Sequence, residues 1–273
     1  MLWQLTVRGT EAEVHAAAER MGFLEAGEAL AVTVLYYKGM PAAEALYETE
    51  ADARAAQAEV GGEVAPVEDR DWVSETQSGL HPVTAGRVLL HGSHDAPEAG
   101  GLIPIVVDAG LAFGTGHHGT TEGCLRLFSS RLDAGAEYGR VLDLGTGSGV
   151  LAIAAAKVLG VAVDASDIDS DAVDVTRANA EANGVGDLVN VWQADGLSDT
   201  RFGAYDLVFA NILAKPLMSM AGDIARVAEG DVVLSGILDE QAEEVAGVFA
   251  GVGLREMDRV NLEGWTSLVV RAE

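Results

Sequence analysis

Cysteine is almost missing from this 273-residue chain: Cys124 stands alone, which excludes an internal disulfide and any cysteine-cluster metal site. Its place in an apolar helical stretch predicts a buried, inert thiol. Basic residues are scarce too, with 17 Lys and Arg against 43 Asp and Glu and a formal net charge of −26. Docking to nucleic acid needs a basic face, so no direct nucleic-acid binding is expected. A basic protein partner suits the chain better, although the same acidity serves solubility. No apolar run approaches the ~20 residues of a membrane span. The start, Met-Leu-Trp-Gln-Leu-Thr-Val-Arg-Gly-Thr, lacks a basic end followed by an apolar core. No membrane association and a cytoplasmic location are the expectation, with a monomer as the default state. Internal repeats and low-complexity tails are missing as well. The length leaves room for two domains.

The strongest signal present is residues 141–150, Val-Leu-Asp-Leu-Gly-Thr-Gly-Ser-Gly-Val, followed by the helix-forming run 151–159. This reads as a strand, a tight glycine turn and a helix N-terminus. Gly145, Gly147 and Gly149 let backbone approach a ligand closely, and the helix start supplies free N–H groups and a positive dipole. About 20 residues beyond the first glycine comes Ser166-Asp167-Ile168-Asp169, an acidic pair where Rossmann-type sites hold a ribose diol. A dinucleotide loop wants Gly-x-Gly-x-x-Gly/Ala, yet Val150 occupies the last position and Gly149 comes one residue early. The pattern fits the Asp-x-Gly-x-Gly-x-Gly loop of S-adenosylmethionine (SAM) sites better, with NAD as the competing ligand. Asp143 then either orients the loop or receives the cofactor's ammonium group. Thr146 and Ile168 fall within the same cofactor-facing segments.

Ahead of that unit the chain reads as a small βαββαβ domain, a ferredoxin-like pattern. Its elements are strand 2–8, helix 11–21 capped by Thr10, strand 30–37, a short strand at 45–48, helix 50–60 and strand 63–67. We assign residues 1–67 to this domain, 68–85 to a linker with a helix near 72–77, and 86–273 to the catalytic domain. Strands are expected at 87–91 and 103–107.

A second signal spans residues 110–121, Gly-Leu-Ala-Phe-Gly-Thr-Gly-His-His-Gly-Thr-Thr. It reads as a flap carrying Phe113 that ends in Thr120 and Thr121, which can cap the following helix and hold a carboxylate. Adjacent His117 and His118 have no accompanying ligands, so no metal is expected.

Beyond the glycine loop, strands and helices alternate. Strands are expected at 162–167, 188–194, 206–210 and 232–234, helices at 171–183, 216–227 and 240–249, and a closing pair of strands at 255–261 and 266–270. This is a doubly wound α/β sheet, whose ligands bind beyond the carboxyl ends of the strands. Gly145, Asp167, Asp195 and Asn211 then share one rim. Asn211 ends a strand there, and its carbonyl could accept a hydrogen bond from an acceptor amine, the one catalytic role assigned.

Several segments together resemble the ribosomal protein L11 methyltransferase family, PrmA. They are Asp71-Trp72 with His81-Pro82, residues 110–121 and 141–156, Asp167-Ile168-Asp169, Asn-Ala-Glu-Ala-Asn-Gly at 179–184, Ala-Asn-Ile-Leu at 210–213 and Ser-Gly-Ile-Leu at 235–238. The resemblance implies a class I methyltransferase Rossmann-like fold behind the α+β ferredoxin-like domain. It implies SAM contacts at Thr121, Gly145, Asp167 and Asn211. It also implies methyl transfer to lysine ε-amino and N-terminal α-amino groups of L11, with the front domain presenting that substrate. The residues themselves leave open a methyltransferase with another substrate, an NAD-dependent oxidoreductase, and a non-catalytic SAM-binding protein.

Overall fold

A computed structural model describes residues 2–21, 29–37, 40–66, 82–93, 95, 97–107, 119–198 and 202–272. The chain divides into two compact units, Met1–Trp72 and Val73–Glu273.

The first unit contains β1 (Trp3–Arg8), α1 (Glu11–Met21), β2 (Ala31–Tyr37), β3 (Met40–Tyr47), α2 (Glu50–Val60) and β4 (Glu63–Pro66). The strands form an antiparallel sheet in the order β2-β3-β1-β4. Local chemistry starts both helices. The Glu13 carboxylate accepts from the Thr10 N–H at 2.8 Å and its hydroxyl at 2.7 Å, and Thr49 Oγ1 accepts from the Asp52 N–H at 3.2 Å. Strand β3 is longer than the expected 45–48 because two neighbours impose it on an alanine-rich sequence of low strand propensity. Pro41 faces Tyr36 of β2 and lies beyond Ala42, the last partner of β1, so its missing N–H opens no gap towards β1.

The core of this unit joins Leu5, Val14, Met21 and Tyr47 to small alanines of β3 and α2. Tyr47 is fully buried and its hydroxyl has no partner, and burial pushes its pKa up. Such a group costs about 1–3 kcal/mol of desolvation. Tyr47→Phe should therefore raise the stability of this unit by about 1 kcal/mol or more in urea unfolding.

In the second unit, β5 (Val83–Ala85), β6 (Val88–His91) and β7 (Ile103–Val106) form a three-stranded sheet. Residues 83–85 had been assigned to the linker; they are a strand, held antiparallel to β6. Residues 67–81, including the expected helix near 72–77, lie outside the described residues.

The remaining elements are α3 (Gly119–Asp133), β8 (Val141–Leu144), α4 (Val150–Leu159), β9 (Val163–Asp167), α5 (Ser170–Ala182), β10 (Val189–Gln193), β11 (Tyr205–Asn211), α6 (Ala214–Ser219), α7 (Ala221–Val227), β12 (Ala228–Leu238), α8 (Ala242–Gly251), β13 (Leu254–Leu262) and β14 (Trp265–Ala272). The seven-stranded sheet runs β10-β9-β8-β11-β12-β14-β13. Its first five strands are parallel, and β14 and β13 join antiparallel. The chain enters at β8 in the middle, works outward to β10 and then returns to β11, so β8 and β11 bracket a topological switch point. One face packs against α3, α4 and α5 through Leu125, Phe128 and Ile153. The other packs against α6, α7 and α8 through Leu217, Ile224 and Phe249. Helix α3 is pinned to β12 through Arg131 Nε, which donates to the buried Asp231 carboxylate at 2.9 Å. Cys124 is buried on α3 and burial pushes its thiol up to about 12.

Two expected elements differ in extent. Strand β12 outruns the predicted 232–234 because Gly230 and Gly236 serve the sheet instead of ending it. A Cβ on Gly230 would lie 1.9 Å from the Asp206 carbonyl, and Gly236, at φ +81°, sits where the register against β14 shifts. The helix expected over 216–227 is two helices, broken at Met220.

Candidate active site

Strand β8 delivers the chain into Gly145, Gly147 and Gly149, all at positive φ (71°, 55° and 82°). A side chain at any of the three would strain the backbone, and at Gly145 and Gly149 it would also meet neighbours. A Cβ on Gly145 would lie 2.4 Å from Ile212 Cγ2, and one on Gly149 would lie 2.8 Å from Thr176 Cγ2. The loop is stitched to β9, since the Gly145 and Thr146 N–H groups donate to the Ser166 carbonyl at 2.8 and 3.0 Å. Asp167, ending β9, accepts from the Gly147 N–H at 2.9 Å and from the Asp169 N–H at 3.1 Å. Asp169 itself caps α5, accepting from the Asp171 N–H at 2.9 Å.

These elements wall a cavity of about 800 Å³ at the switch point, a size suited to one cofactor-sized ligand. Of the sequence-predicted residues, Thr120, Thr121, Gly145, Thr146, Gly147, Asp167, Ile168 and Asn211 line it, and so does Asp195. Phe113 lies outside the described residues, as do His117 and His118. Three lining side chains carry buried polar atoms without a hydrogen-bond partner: Thr121 Oγ1, Ser166 Oγ and Asn211 Oδ1. Buried polar groups are normally paired, so three on one wall mark a surface built to meet a polar ligand. Ile168 and Leu213, 65% and 67% exposed, add apolar faces to the same wall.

Two expectations need correction. Thr120 and Thr121 do not cap α3; they stand inside its first turn. The helix starts at Gly119, which fits against β13 so closely that a Cβ would lie 2.9 Å from the Leu262 carbonyl. Asp143 is not among the residues lining the cavity. It is buried beneath the loop, on the sheet face covered by α4, where Oδ2 accepts from Thr146 Oγ1 at 2.7 Å and from the Ala152 N–H at 3.1 Å. Of its two expected roles, this geometry suits loop orientation.

Burial pushes the Asp143 carboxyl up to about 6, with the Asp167 charge adding to the rise and the two hydrogen bonds opposing it. Its unfolded value is about 3.9. Since the folded value is the higher one, the contribution to stability is fully present below about pH 4 and is lost as pH rises through about 6. A difference of about 2 units corresponds to about 3 kcal/mol. Asp143→Asn removes the titration, so between pH 4 and pH 7 its stability relative to the unaltered protein should improve by about 3 kcal/mol in denaturant titrations.

The sequence reading missed Ile212, Leu213, Pro216, Ser219, Met220, Gly236 and Trp265 as wall residues. Ile212, Leu213 and Gly236 do fall in the Ala-Asn-Ile-Leu and Ser-Gly-Ile-Leu segments singled out above, which was the available signal.

Comparison with known proteins agrees with this architecture. A family model described as "Ribosomal protein L11 methyltransferase (PrmA)" matches residues 5–273. A protein named ribosomal protein L11 methyltransferase from Rhodopseudomonas palustris (strain BisB5) is 43% identical over 242 residues, covering 86% of this chain and 82% of that one. Another of that name from Bradyrhizobium diazoefficiens is 48% identical over 211 residues, covering 75% of this chain and 71% of its own. The crystal structure of a ribosomal protein L11 methylase from Lactobacillus delbrueckii subsp. bulgaricus superposes with a TM-score of 0.63 at 27% identity, covering 71% of this chain and all of that one. The chain belongs to the ribosomal protein L11 methyltransferase (PrmA) family, whose members are SAM-dependent methyltransferases.

Proposed function

We propose that this chain transfers methyl groups from SAM to amino groups of ribosomal protein L11, lysine ε-amines first and the N-terminal α-amine as a second acceptor. The observation that carries the reading is the trio of unpartnered polar atoms, Thr121 Oγ1, Ser166 Oγ and Asn211 Oδ1, on the cavity beside the glycine loop. The names of the relatives support the choice of L11.

SAM supplies an electrophilic methyl group carried on a sulfonium. Asp167 keeps lone pairs on both oxygens after its two backbone contacts, enough to accept from a ribose diol. Thr121 offers a hydroxyl to the cofactor carboxylate, and Ile168 offers an apolar surface to its base. Leu144, Ile212 and Met220 surround the site with apolar surface. A lysine of ordinary pKa about 10.4 loses its proton more readily when desolvated beside a cation. Asn211 Oδ1 then accepts a hydrogen bond from the neutral amine and aims its lone pair, so catalysis is mainly alignment. No dedicated base is assigned; the proton leaves to water or to a backbone carbonyl.

Asp167→Ala is expected to weaken SAM binding about tenfold to several hundredfold, because two charge-assisted hydrogen bonds of roughly 1.5–3 kcal/mol each are at stake. Calorimetry on the folded variant reads this directly; unchanged affinity would reduce Asp167 to a tether of the loop.

Residues 1–67 are read as the docking domain, with a linker from residue 68 leading into a catalytic domain that begins at β5 (Val83–Ala85). The net charge of −26 favours a basic protein surface over nucleic acid as partner. No helix among the described residues is long and apolar enough to cross a membrane. A ribosomal protein acceptor puts the reaction in the cytoplasm, and the enzyme is read as a monomer. Incubation with methyl-labelled SAM and unmethylated ribosomal proteins tests the proposal: label should appear on L11, and label confined to another protein or absent from all would refute it.

A further inference from the structure

The Asn-Ala-Glu-Ala-Asn-Gly segment at 179–184 has no part in the site described so far. It continues a row on α5 that begins at Thr176, which is fully buried. Thr176 Oγ1 donates to the Gly147 carbonyl at 2.9 Å, and Asn179 Nδ2 donates to the Ser148 carbonyl at 2.8 Å. Two successive carbonyls of the glycine loop are thus held by two side chains one helical turn apart. Gly147 is gripped at both ends, its N–H by Asp167 on β9 and its carbonyl by Thr176 on α5. The fit is close, since Thr176 fills the space a side chain at Gly149 would need.

Glycine loses more backbone freedom on ordering than any other residue, and this loop carries three in the left-handed region. Tethers that order it before the ligand arrives spare that cost at binding, which is how preorganisation raises affinity. Neither Thr176 nor Asn179 is among the residues lining the cavity, so both act through the loop. Asn183, one turn further on, makes an internal control. Its Nδ2 donates to the Val106 carbonyl at 2.7 Å and to the Asn179 backbone carbonyl at 2.9 Å, and its Oδ1 accepts from the Val106 N–H at 2.9 Å and from Lys157 Nζ at 3.2 Å, so none of its bonds reaches the loop.

We propose that Thr176 and Asn179 are positioning residues of the cofactor site, fixing the Gly147 and Ser148 carbonyls so that the glycine loop is preformed for SAM. The proposal rests on reading that loop as the SAM site.

The test compares Thr176→Val, Thr176→Ser, Asn179→Ala and Asn183→Ala in the full chain, by SAM calorimetry, steady-state kinetics and thermal melting. Thr176→Val and Asn179→Ala should each raise the SAM Kd about tenfold, the loss of one part-buried hydrogen bond. The loss should fall on KM for SAM more than on kcat. Thr176→Ser should restore most of the affinity. Asn183→Ala should lower the melting temperature and keep the SAM Kd within about twofold, since none of its bonds reaches the glycine loop and the Asn179 side chain is left in place. A folded Thr176→Val with unchanged Kd overturns the proposal, and so does an Asn183→Ala that loosens SAM as much as Thr176→Val. Should Thr176→Val not fold, Asn179→Ala decides by the same readouts. Failure of the unaltered protein to bind SAM overturns the site reading and this proposal together, whereas intact binding that ignores α5 overturns this proposal alone.

Discussion

Asn211→Ala should lower kcat by about 10²–10³ while SAM affinity changes only a few fold, the pattern of an interaction made mainly in the transition state. Asn211 ends β11 beside Ile212, and a Cβ on Gly145 would strike Ile212 Cγ2, so the side chain next to Asn211 packs against the cofactor loop itself. Its Oδ1 is buried without a partner on the cavity wall. Buried polar atoms are normally paired, so that oxygen is placed to accept from something that enters the cavity. The donor it suits is the acceptor amine, because a single fixed acceptor sets the direction of the nitrogen lone pair. Alanine removes the guide without opening the loop or touching Asp167. Equal losses in kcat and SAM affinity, or no loss in either, would make Asn211 a turn residue.

A chain beginning at Asp71 should keep its SAM affinity within a few fold and lose transfer to intact L11 by about 10² or more, because the acceptor's effective concentration at the site collapses without a docking domain. The hydrophobic cluster of the first unit draws on residues between 3 and 64, while both clusters of the second unit begin at residue 85 or later. Each unit therefore has its own core. The cavity is lined by residues from Thr120 to Trp265, all within the second unit. Retained transfer at full rate would contradict the docking role. If the first unit merely shields apolar surface, the truncated chain should aggregate with no selective loss of docking.

The parts of the site that could be read from the sequence are those in which neighbours in space are neighbours in the chain. Gly145, Gly147 and Asp167 belong to one strand-loop-helix-strand unit, so their spacing pointed to a ribose-bearing cofactor and favoured SAM over NAD. Met220, Gly236 and Trp265 reach the same cavity from α6–α7, β12 and β14, and no spacing rule links them to the loop. Asp143 shows a different limit. All four residues of β8 are buried, so the apolar pattern does not tell which face the carboxylate takes, and only the fold puts it under α4. In β3 and β12 the expected strands were too short: β3 takes in Pro41, and β12 takes in Gly230, where the Asp206 carbonyl approaches closely, and Gly236, where the register shifts. The part the Ser166 hydroxyl can play shows only once it is seen buried without a partner.

The central claim is that the cavity between the ends of β8, β9 and β11 binds SAM. A calorimetric titration of the full chain with SAM, run alongside Asp167→Ala and a reduced-NAD fluorescence control, tests it most directly. The account predicts a single SAM site per chain, weakened about tenfold or more by Asp167→Ala, and no change in reduced-NAD fluorescence. Absence of SAM binding, or binding of the dinucleotide in its place, would contradict it.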